Sequence, residues 1–448
     1  MSPEQLNSTG VVRVGEGTLK EFRYSVELIK TNPVQGRPDL TFMLSEYVQR
    51  FQLVESMFHK AIAFDMTFLD GGGFYDRIGI SVNDRIRVRL FKENVPNSEF
   101  REIDVLLYIA DIGPGAIAEN AKYRTFLITA TSREAHLNTK LRVRRPIRGT
   151  PQSIAQTIAS GWLSADVELA SAENKKLAEP QMQILFPSCS PFQALDMVTR
   201  RAKSSDPRQG TNVQCFKSVD GPIIFKSLAE LYAEAKTHTY NLVPNKTATQ
   251  TSSDYFRLAS FKQHKHANLK QRLDSGMLVG EHVEFNMIDR SFSRSTFRFR
   301  DSFQGILVTG EFPPFDAEVA DRDYVEELGS TFGNSVATTY RHSQEAYGAA
   351  EDTISTTHVY DSAQKAGISS IVYSADLMGN SDIRAGDLME VTAPSLYQND
   401  SANEPDVFFA GKFMIGSVRH VVRDAEEYTT FVDLFKDGYD LPIGEQRS

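Results

Sequence analysis

The sequence predicts a mainly β fold with α+β insertions, in which two strand-rich regions flank a mixed α/β block. Apolar and polar residues alternate near the N-terminus and again in the C-terminal part of the chain, a pattern typical of half-buried strands. Between these regions the apolar spacing changes to that of helices. A chain of 448 residues also exceeds what one ordinary hydrophobic core organises, so several domains are expected.

We divide the chain where the pattern changes. The prediction is a flexible N-terminus, a first β-barrel domain, a mixed α/β domain, a second barrel part with a peripheral insertion or arm, C-terminal strands that complete the second barrel, and a tail. These parts span residues 1–20, 21–145, 146–236, 237–375, 376–440 and 441–448. Residues 240–375 carry no pattern that predicts a particular fold, although alternation predicts a strand over Ser291 to Phe303, and Asp321 to Tyr360 indicates a long connection or extended arm.

The segment from Arg85 to Leu90 shows the clearest alternation in the first strand-rich region. Its apolar residues share one face of the expected strand, and Arg85, Arg87 and Arg89 form a row on the other. This row is either a solvated outer face or an interface strand, because guanidinium groups form bidentate pairs with the carboxylates of a neighbouring molecule.

The middle block contains three helix-start signals. A Ser or Thr before Pro is typical of an N-cap followed by the first helical position, and a Ser followed three residues later by Glu forms a capping box. These signals stand at Thr150-Pro151, at Ser190-Pro191, and at Ser227 with Glu230.

The C-terminal region predicts an antiparallel hairpin. One strand begins after Gly386-Asp387 and stops before Pro394. A second runs over Phe408 to Val422, and a polar turn at Asp424 to Glu427 leads into the returning strand. The spacing of this turn is typical of a hairpin connection.

The net charge of the chain limits the classes of molecule that it is expected to bind. Asp and Glu number 58 against 49 Lys and Arg, for a net charge of -9, which argues against an affinity that rests on neutralising phosphates. The N-terminus lacks the basic and apolar parts of a signal peptide, and no apolar run approaches the ~18 residues of a membrane span. Cys189 and Cys215 are interpreted as buried free thiols.

No catalytic, cofactor-binding or metal-binding residue is predicted. Gly71-Gly72-Gly73 lacks the Lys of a phosphate-binding loop and is interpreted as a hairpin tip. His264 and His266, with His282 further on, are the best metal candidates. A structural metal site needs four ligands, so a solvated segment is favoured. A trimer axis that brings three copies of these histidines together would be the exception.

Two other features are candidates for chemistry. The acidic run from Asp316 to Glu327 could supply paired carboxylates for glycoside cleavage, yet charge runs usually lie on solvated faces. Trp162 is interpreted as a core or interface anchor rather than a sugar platform.

Several segments together resemble the central baseplate hub proteins of contractile phage tails, which are related to the hub part of type VI secretion spikes. The resemblance lies in short strand and turn motifs whose order and spacing match. They are Val54-Glu55-Ser56, Pro191 to Leu195, Gln214 to Leu231, Gly386 to Val391, Ala410 to His420 and Leu434 to Asp437.

The resemblance implies a structural protein and not an enzyme. It implies a homotrimer in which each chain carries two tail-tube-like barrels, so that three chains present a pseudo-sixfold ring around a DNA channel. The implied partners are the hexameric tail tube, the trimeric central spike and the baseplate wedge proteins, with DNA only in transit. The implied location is the virion tail baseplate, after assembly in the host cytoplasm.

Two alternatives belong to other functional classes. One is a tail-associated cell-wall or glycan hydrolase, which requires a pocket with two carboxylates at catalytic separation. The other is a soluble β-rich binding module unrelated to tails, which would be a monomer in solution.

Overall fold

The computed structural model describes residues 10–13, 21–31, 39–93, 101–117, 123–179, 181–206, 210–219, 221–242, 257–265, 270, 278–285, 292–302, 307–313, 354–368, 371–393, 405–406, 408–424 and 427–440. Strands dominate these residues. In chain order they are β1 Gly10–Arg13, β2 Glu21–Lys30, β3 Leu40–Met43, β4 Val48–Ser56, β5 Ala63–Asp70, β6 Arg85–Glu93, β7 Ile103–Ile117, β8 Arg124–Thr131, β9 Pro146–Gly149, β10 Val167–Glu168, β11 Met182–Leu185, β12 Gln214–Lys217, β13 Ile223–Lys226, β14 Thr237–Asn241, β15 Leu258–Lys265, β16 Val279–Phe285, β17 Phe292–Arg298, β18 Ile371–Met378, β19 Leu388–Thr392, β20 Gly411–Arg423 and β21 Glu427–Lys436.

Helices are fewer and mostly short. They are α1 Phe74–Ile78, α2 Arg133–Lys140, α3 Pro151–Ile158, α4 Pro191–Thr199, α5 Leu228–Glu234, α6 Phe299–Ser302 and α7 Ile354–Ile368. A 3₁₀ turn at Ser45–Tyr47 precedes β4, and a π turn at Ala159–Leu163 extends α3. No described helix is long and apolar enough to cross a membrane.

One large sheet carries most of the strands, in the order β1-β2-β6-β7-β8-β5-β4-β20-β21-β18-β15, with β3 beside β2 and with β14 and β19 joined to β20. We call β2 and β4 to β8 the N-terminal set, and β14, β15 and β18 to β21 the C-terminal set. The two sets share this sheet and meet where β4 lies beside β20.

Each set has its own apolar core. In the N-terminal set, alternate residues of β4 and β5 such as Phe51 and Phe64 are fully buried, as their alternation requires. In the C-terminal set the core gathers around Tyr373, Phe413 and Leu434. The mainly β class with helical insertions is therefore confirmed.

The middle part of the chain forms a separate core from helices and two small sheets. β10 is parallel to β13, which is antiparallel to β12, and β9 pairs with β11. Helices α3 and α4 bury Ile154, Ile158 and Leu195 against this layer. A further cluster joins α5 to the C-terminal set through Leu228 and Met414.

The helix-start predictions are confirmed. The Thr150 side chain accepts from the Ser153 N–H, while Ser190 and Ser227 each form a complete capping box with residue N3. These local signals suffice because each cap satisfies backbone donors within its own first turn.

Other expectations were wrong or incomplete. The predicted strand over Ser291 to Phe303 is shorter, since β17 ends at Arg298 and α6 follows. The described part of the predicted arm, residues 354–360, lies within α7. Cys189 is only half-buried, whereas Cys215 is buried as predicted, and neither forms a disulfide.

Candidate assembly interface

The two strand sets repeat one arrangement of six strands. The N-terminal set runs β2-β6-β7-β8-β5-β4 across the sheet, and the C-terminal set runs β14-β19-β20-β21-β18-β15. If the six strands of each set are numbered 1 to 6 in chain order, their order across the sheet is 1-4-5-6-3-2 in both sets. They differ in the first strand, since β2 is antiparallel to β6 while β14 is parallel to β19.

A tight turn before the fourth strand of each set has the same hydrogen bonds. The Ser81 N–H donates to Oδ2 of Asp84 over 2.8 Å, and the Asp84 N–H donates to the Ser81 carbonyl over 3.0 Å. Arg384 and Asp387 form the same two bonds, at 3.1 and 3.2 Å. An aspartate that caps its own turn in this way fixes where the strand starts.

The regular pairing of the fifth strand is interrupted at the equivalent position in each set. The Ile109 N–H donates to the carbonyl of Asp84 over 3.3 Å. In the same way, the Ile415 N–H donates to the carbonyl of Asp387 over 2.9 Å. Directly afterwards the pairing with the sixth strand shifts, between Ile109 and Asp111 in β7 and between Ile415 and Ser417 in β20.

A second irregularity is also shared. The ladder between the second and third strands shifts between Val48 and Arg50 in the N-terminal set, and between Leu258 and Ser260 in the C-terminal set. Bulges re-aim a strand at a defined position and are built into a fold. Their coincidence makes the two sets structural repeats of each other.

The junction between the sets is a strand pairing. Residues 50–56 of β4 lie antiparallel to residues 417–423 of β20, and the Met57 N–H adds a bond of 2.9 Å to the Gly416 carbonyl. This edge of β20 is open to β4 because β19 is short and pairs only with residues 411–414.

A buried histidine lies within this junction. His420 is opposite Leu53, and its Nδ1 lies 2.9 Å from the Tyr428 hydroxyl. Burial lowers the pKa of His420 to about 3, with a smaller contribution from the positive charge of Arg384. The imidazole is therefore neutral in the fold at neutral pH.

The sheet face opposite the cores carries polar rows. In the N-terminal set one row crosses Asp111, Thr129, Asp65 and Gln52. The matching row of the C-terminal set crosses Ser417, Asp433, Ser374 and Lys262. These groups bond along the row, as where Gln52 Nε2 donates to Asp65 over 2.7 Å and the Ser417 hydroxyl donates to Asp433.

The segment Leu434 to Asp437 anchors the end of β21. Asp437 accepts from the N–H groups of Val308 and Thr309 at 2.6 and 3.0 Å, and burial raises the pKa of this carboxyl despite those donors. Lys436 is fully buried 3.2 Å from Asp440, and burial lowers the pKa of its ammonium. These charged residues hold the fold together at this end of the sheet.

The arginine row of β6 pairs within the chain. Arg87 forms a bidentate pair with Asp104 at 2.7 and 2.5 Å, and Arg89 lies 3.3 Å from the same carboxylate. Arg85 pairs with Asp39. Hydrogen bonding to Arg87 lowers the pKa of Asp104. The carboxylate partners of this row therefore lie on neighbouring segments of the same molecule.

The metal candidates do not come together in the described structure. His264 is exposed on β15 and lies 2.6 Å from the Ser374 hydroxyl. His282 is on β16, and His266 lies outside the described residues. Among the residues described, no group of three potential ligands is close enough to hold a metal ion.

The remaining chemical candidates have structural surroundings. Trp162 packs against the middle core beneath the Arg145 guanidinium, 4.8 Å from the ring centroid. Gly71 to Gly73 lead into α1 rather than directly into a returning strand. The acidic run from Asp316 to Glu327 lies outside the described residues.

A cleft of about 750 Å³ lies where the junction meets the middle core and α7. Its two carboxylates are engaged, Asp196 by Lys60 at 2.6 Å and Asp433 by the Ser417 hydroxyl. The apolar wall includes Phe58, which packs on Phe435 with ring centroids 6.1 Å apart.

Sequence reasoning missed the junction itself. Val54-Glu55-Ser56 and the strand ending at His420 were each recognised as motifs, but nothing in either segment indicates that they pair. A usable signal was the repeated Asp before the fourth strand, in Asn83-Asp84 and Gly386-Asp387, which marks equivalent turns.

The described fold is similar to solved phage tail structures. Against the 43 kDa tail protein of prophage MuSo2 from Shewanella oneidensis the TM-score is 0.53 at 10% identity, covering 93% of this chain and all of that one. A tail protein from Neisseria meningitidis gives 0.49 at 10% identity, covering 92% and 97%. An Escherichia coli component of the type VI secretion system gives 0.40 at 10% identity, covering 88% and 76%. No family model and no curated protein matches the sequence.

Proposed function

We propose that this chain, which has the fold of a phage tail protein, is the central hub of a contractile tail baseplate. In this role three copies form a ring that joins the hexameric tail tube to the trimeric spike and is flanked by wedge proteins. The protein would act by its shape and symmetry, as a component of the virion tail assembled in the host cytoplasm, and not as an enzyme.

The repeat of strand order, turn and bulges supports this proposal most directly. Two equivalent strand sets in one chain give three copies six equivalent units, which matches a sixfold partner on one side and a threefold partner on the other. Closed symmetry limits such an assembly to a ring. We propose that the two sets are the tail-tube-like barrels that the sequence resemblance implies, with the middle block as a separate domain.

The polar sheet face suits a channel for DNA. If each of the six sets contributes four strands to the wall of the ring, that wall is a barrel of about 24 strands. Barrels with fewer strands already enclose water-filled pores. The two rows carry the carboxylates of Asp65, Asp111 and Asp433 against the single ammonium of Lys262, an excess of negative charge that would repel phosphates. DNA that passes through the channel should bind its wall only weakly. Cationic groups that neutralise phosphates would hold DNA of any sequence, so an acidic wall favours passage.

The test is the mass of the purified protein in solution, by light scattering over a wide concentration range. A trimer of 50.2 kDa chains has a mass of about 150 kDa, and averaged electron micrographs should show a ring with six similar lobes. A protein that stays monomeric at every concentration, alone and with its spike, would overturn the proposal.

A glycan hydrolase is the alternative from another class. Both carboxylates of the cleft are engaged by Lys60 or Ser417, which disfavours a free acid and base there. Murein digestion by the purified protein, abolished by Asp196→Asn, would favour that alternative instead.

A further inference from the structure

Strand β7 presents a stretch of edge that its equivalent in the C-terminal set uses. β6 pairs only with residues 103–108 of β7, on the edge opposite β8. Beyond that point, residues 111–117 of this edge have no strand partner in the described part of the chain. In β20 the equivalent stretch, residues 417–423, is filled by β4.

Strand β15 presents the complementary half. It is the last strand of the C-terminal set, paired with β18 on one edge and with no strand on the other among the residues described. Its equivalent in the N-terminal set is β4, which uses that outer edge to bind β20. Open edges of this kind are templates for pairing with another chain.

The exposure of one side chain marks the same difference. Val82 and Ala385 occupy equivalent positions in the two aspartate turns. Ala385 is 3% exposed, in a cluster with Met57, which follows β4 across the junction. Val82 is 53% exposed. A valine left uncovered at this position is explained if a second copy supplies the cover.

We infer that β15 of one copy pairs antiparallel with the second half of β7 of the next copy, as β4 pairs with β20 within the chain. This inference rests on the proposed ring and names the contact that closes it. Each copy then donates one strand and receives one, so three copies bury every such edge.

The internal junction fixes the register of this contact. Gln52 lies opposite Asp65 on one side and opposite Val421 on the other. The equivalent of Gln52 is Lys262, which lies opposite Ser374. The equivalent of Val421 is Ala116, because Thr429 and Thr125 lie opposite them on the sixth strands, and a bulge between Gly113 and Ala116 that β20 lacks moves this position by one residue. Lys262 of one copy is therefore opposite Ala116 of the next, and Phe261 opposite Ile117.

Cysteine pairs test this register. Directly opposite residues of antiparallel strands have Cβ atoms about 4.5–5.5 Å apart, which oxidation can close to a disulfide. We expect A116C/K262C to run as a covalent trimer after mild oxidation and to revert on reduction, while A116C and K262C alone stay monomeric on the gel. The matched control is Q52C/V421C, the equivalent pair within one chain, which should form an intrachain disulfide only.

The native thiols set the background for this experiment. Burial raises the pKa of Cys215 to about 12, so that thiol does not compete. Cys189 is half-buried and is replaced by Ser in every variant.

The outcomes separate this inference from the proposed function. A trimer by light scattering without the A116C/K262C crosslink, while Q52C/V421C closes, overturns the strand contact and leaves the ring standing. A monomer without crosslink overturns both. Hydrogen exchange on the native protein gives an independent reading. In the trimer the outward amides of residues 260–264 should be protected at least tenfold more than in dissociated monomer, and equal rates in trimer and monomer would overturn the contact.

Discussion

The N-terminal and C-terminal strand sets share a topology, yet they differ at their two ends. The N-terminal set begins with β2 antiparallel to β6 and keeps its second and third strands adjacent in sequence. The C-terminal set begins with β14 parallel to β19, and between β15 and β18 it contains the β16–β17 hairpin and α7. The central ladders β6-β7-β8 and β19-β20-β21 share their turn and first bulge, although β7 has a second register shift, between Gly113 and Ala116, that β20 lacks.

The reversed first strand follows from where the chain enters each set. Helix α5 packs Leu228 and Leu231 beside Leu388 and Met414, at the end of the sheet where β19 starts. The next strand, β14, leaves from that end and must run in the direction of β19, with Thr237 opposite Leu388. The comparison teaches that the ladder with its turn and bulge defines the repeat, while the peripheral strand adapts to the preceding domain.

The largest expected effect comes from charging the shared isoleucine. Ile109 and Ile415 are both fully buried, so Ile109→Asp and Ile415→Asp should each prevent folding, because a buried unpaired carboxylate costs several kcal/mol, on the order of a domain's whole stability. Soluble yield and the thermal unfolding midpoint measure this.

The control for these variants is Leu127→Asp, on the exposed face of β8 at 48% exposure. It should fold with a midpoint close to that of the wild type. If Ile109→Asp is tolerated while Ile415→Asp is not, the two ladders are not equivalent in their packing.

Prediction from sequence succeeded where the signal is local. The caps at Thr150, Ser190 and Ser227 and the hairpin around Asp424 were found because their donors and acceptors lie within a few residues. Such features depend on side chains next to one another in the chain.

The junction could not be found because its energy is not local. Leu53 and His420 are 367 positions apart in sequence and face each other across two strands. The missed helix α2 has a different cause, since its residues Arg133–Lys140 are mostly polar and its mean hydropathy is low. The predicted domain limits and the absence of chemical sites remain predictions.

The next largest expected effect is the pH dependence of stability caused by the junction histidine, His420. It tests whether the edge of β20 that pairs with β4 is closed to water. The folded pKa of His420, about 3, lies below its unfolded value of about 6.5. The unfolded chain therefore binds the extra proton, and stability is lost as pH falls from about 6.5 toward 3. The loss attributable to His420 should reach about 3 kcal/mol at pH 4.

The variant His420→Leu should flatten this pH dependence. Denaturant titrations of wild type and variant between pH 7 and 4 measure the difference, in which other titrating groups cancel. Arg384 and the Tyr428 hydroxyl face the imidazole and stay in both proteins. Parallel curves for the two proteins would show that His420 is hydrated and not part of a closed junction.

The two turn aspartates allow a smaller and more direct comparison. Asp84→Ala and Asp387→Ala each remove the acceptor of a backbone N–H, at a cost of about 1.5–3 kcal/mol. Asp387→Ala should lie at the upper end, because Nε2 of the buried His238 also loses its partner at 3.1 Å. Asp→Asn retains an acceptor oxygen and should recover part of the loss at both sites. Asp84 also lies 3.9 Å from the Lys30 ammonium, so equal losses for the two alanine variants would show that the His238 contact adds no more than that ion pair.

The smallest effect tests the fourth strands, whose surface charges are opposite in the two sets. Arg87 of β6 pairs with Asp104, whereas the equivalent position of β19 is Glu390, opposite Lys412. Hydrogen bonding and charge from Arg87 lower the pKa of Asp104, so this pair stabilises the fold above the unfolded pKa of about 3.9 and the effect is lost as pH falls below it. Because both side chains are more than a third exposed, Asp104→Asn should cost no more than about 1 kcal/mol at pH 7, and less in high salt. A loss above that range, measured by denaturant unfolding of the purified protein and insensitive to salt, would mean that the arginine row of β6 is covered by a partner and serves as an interface.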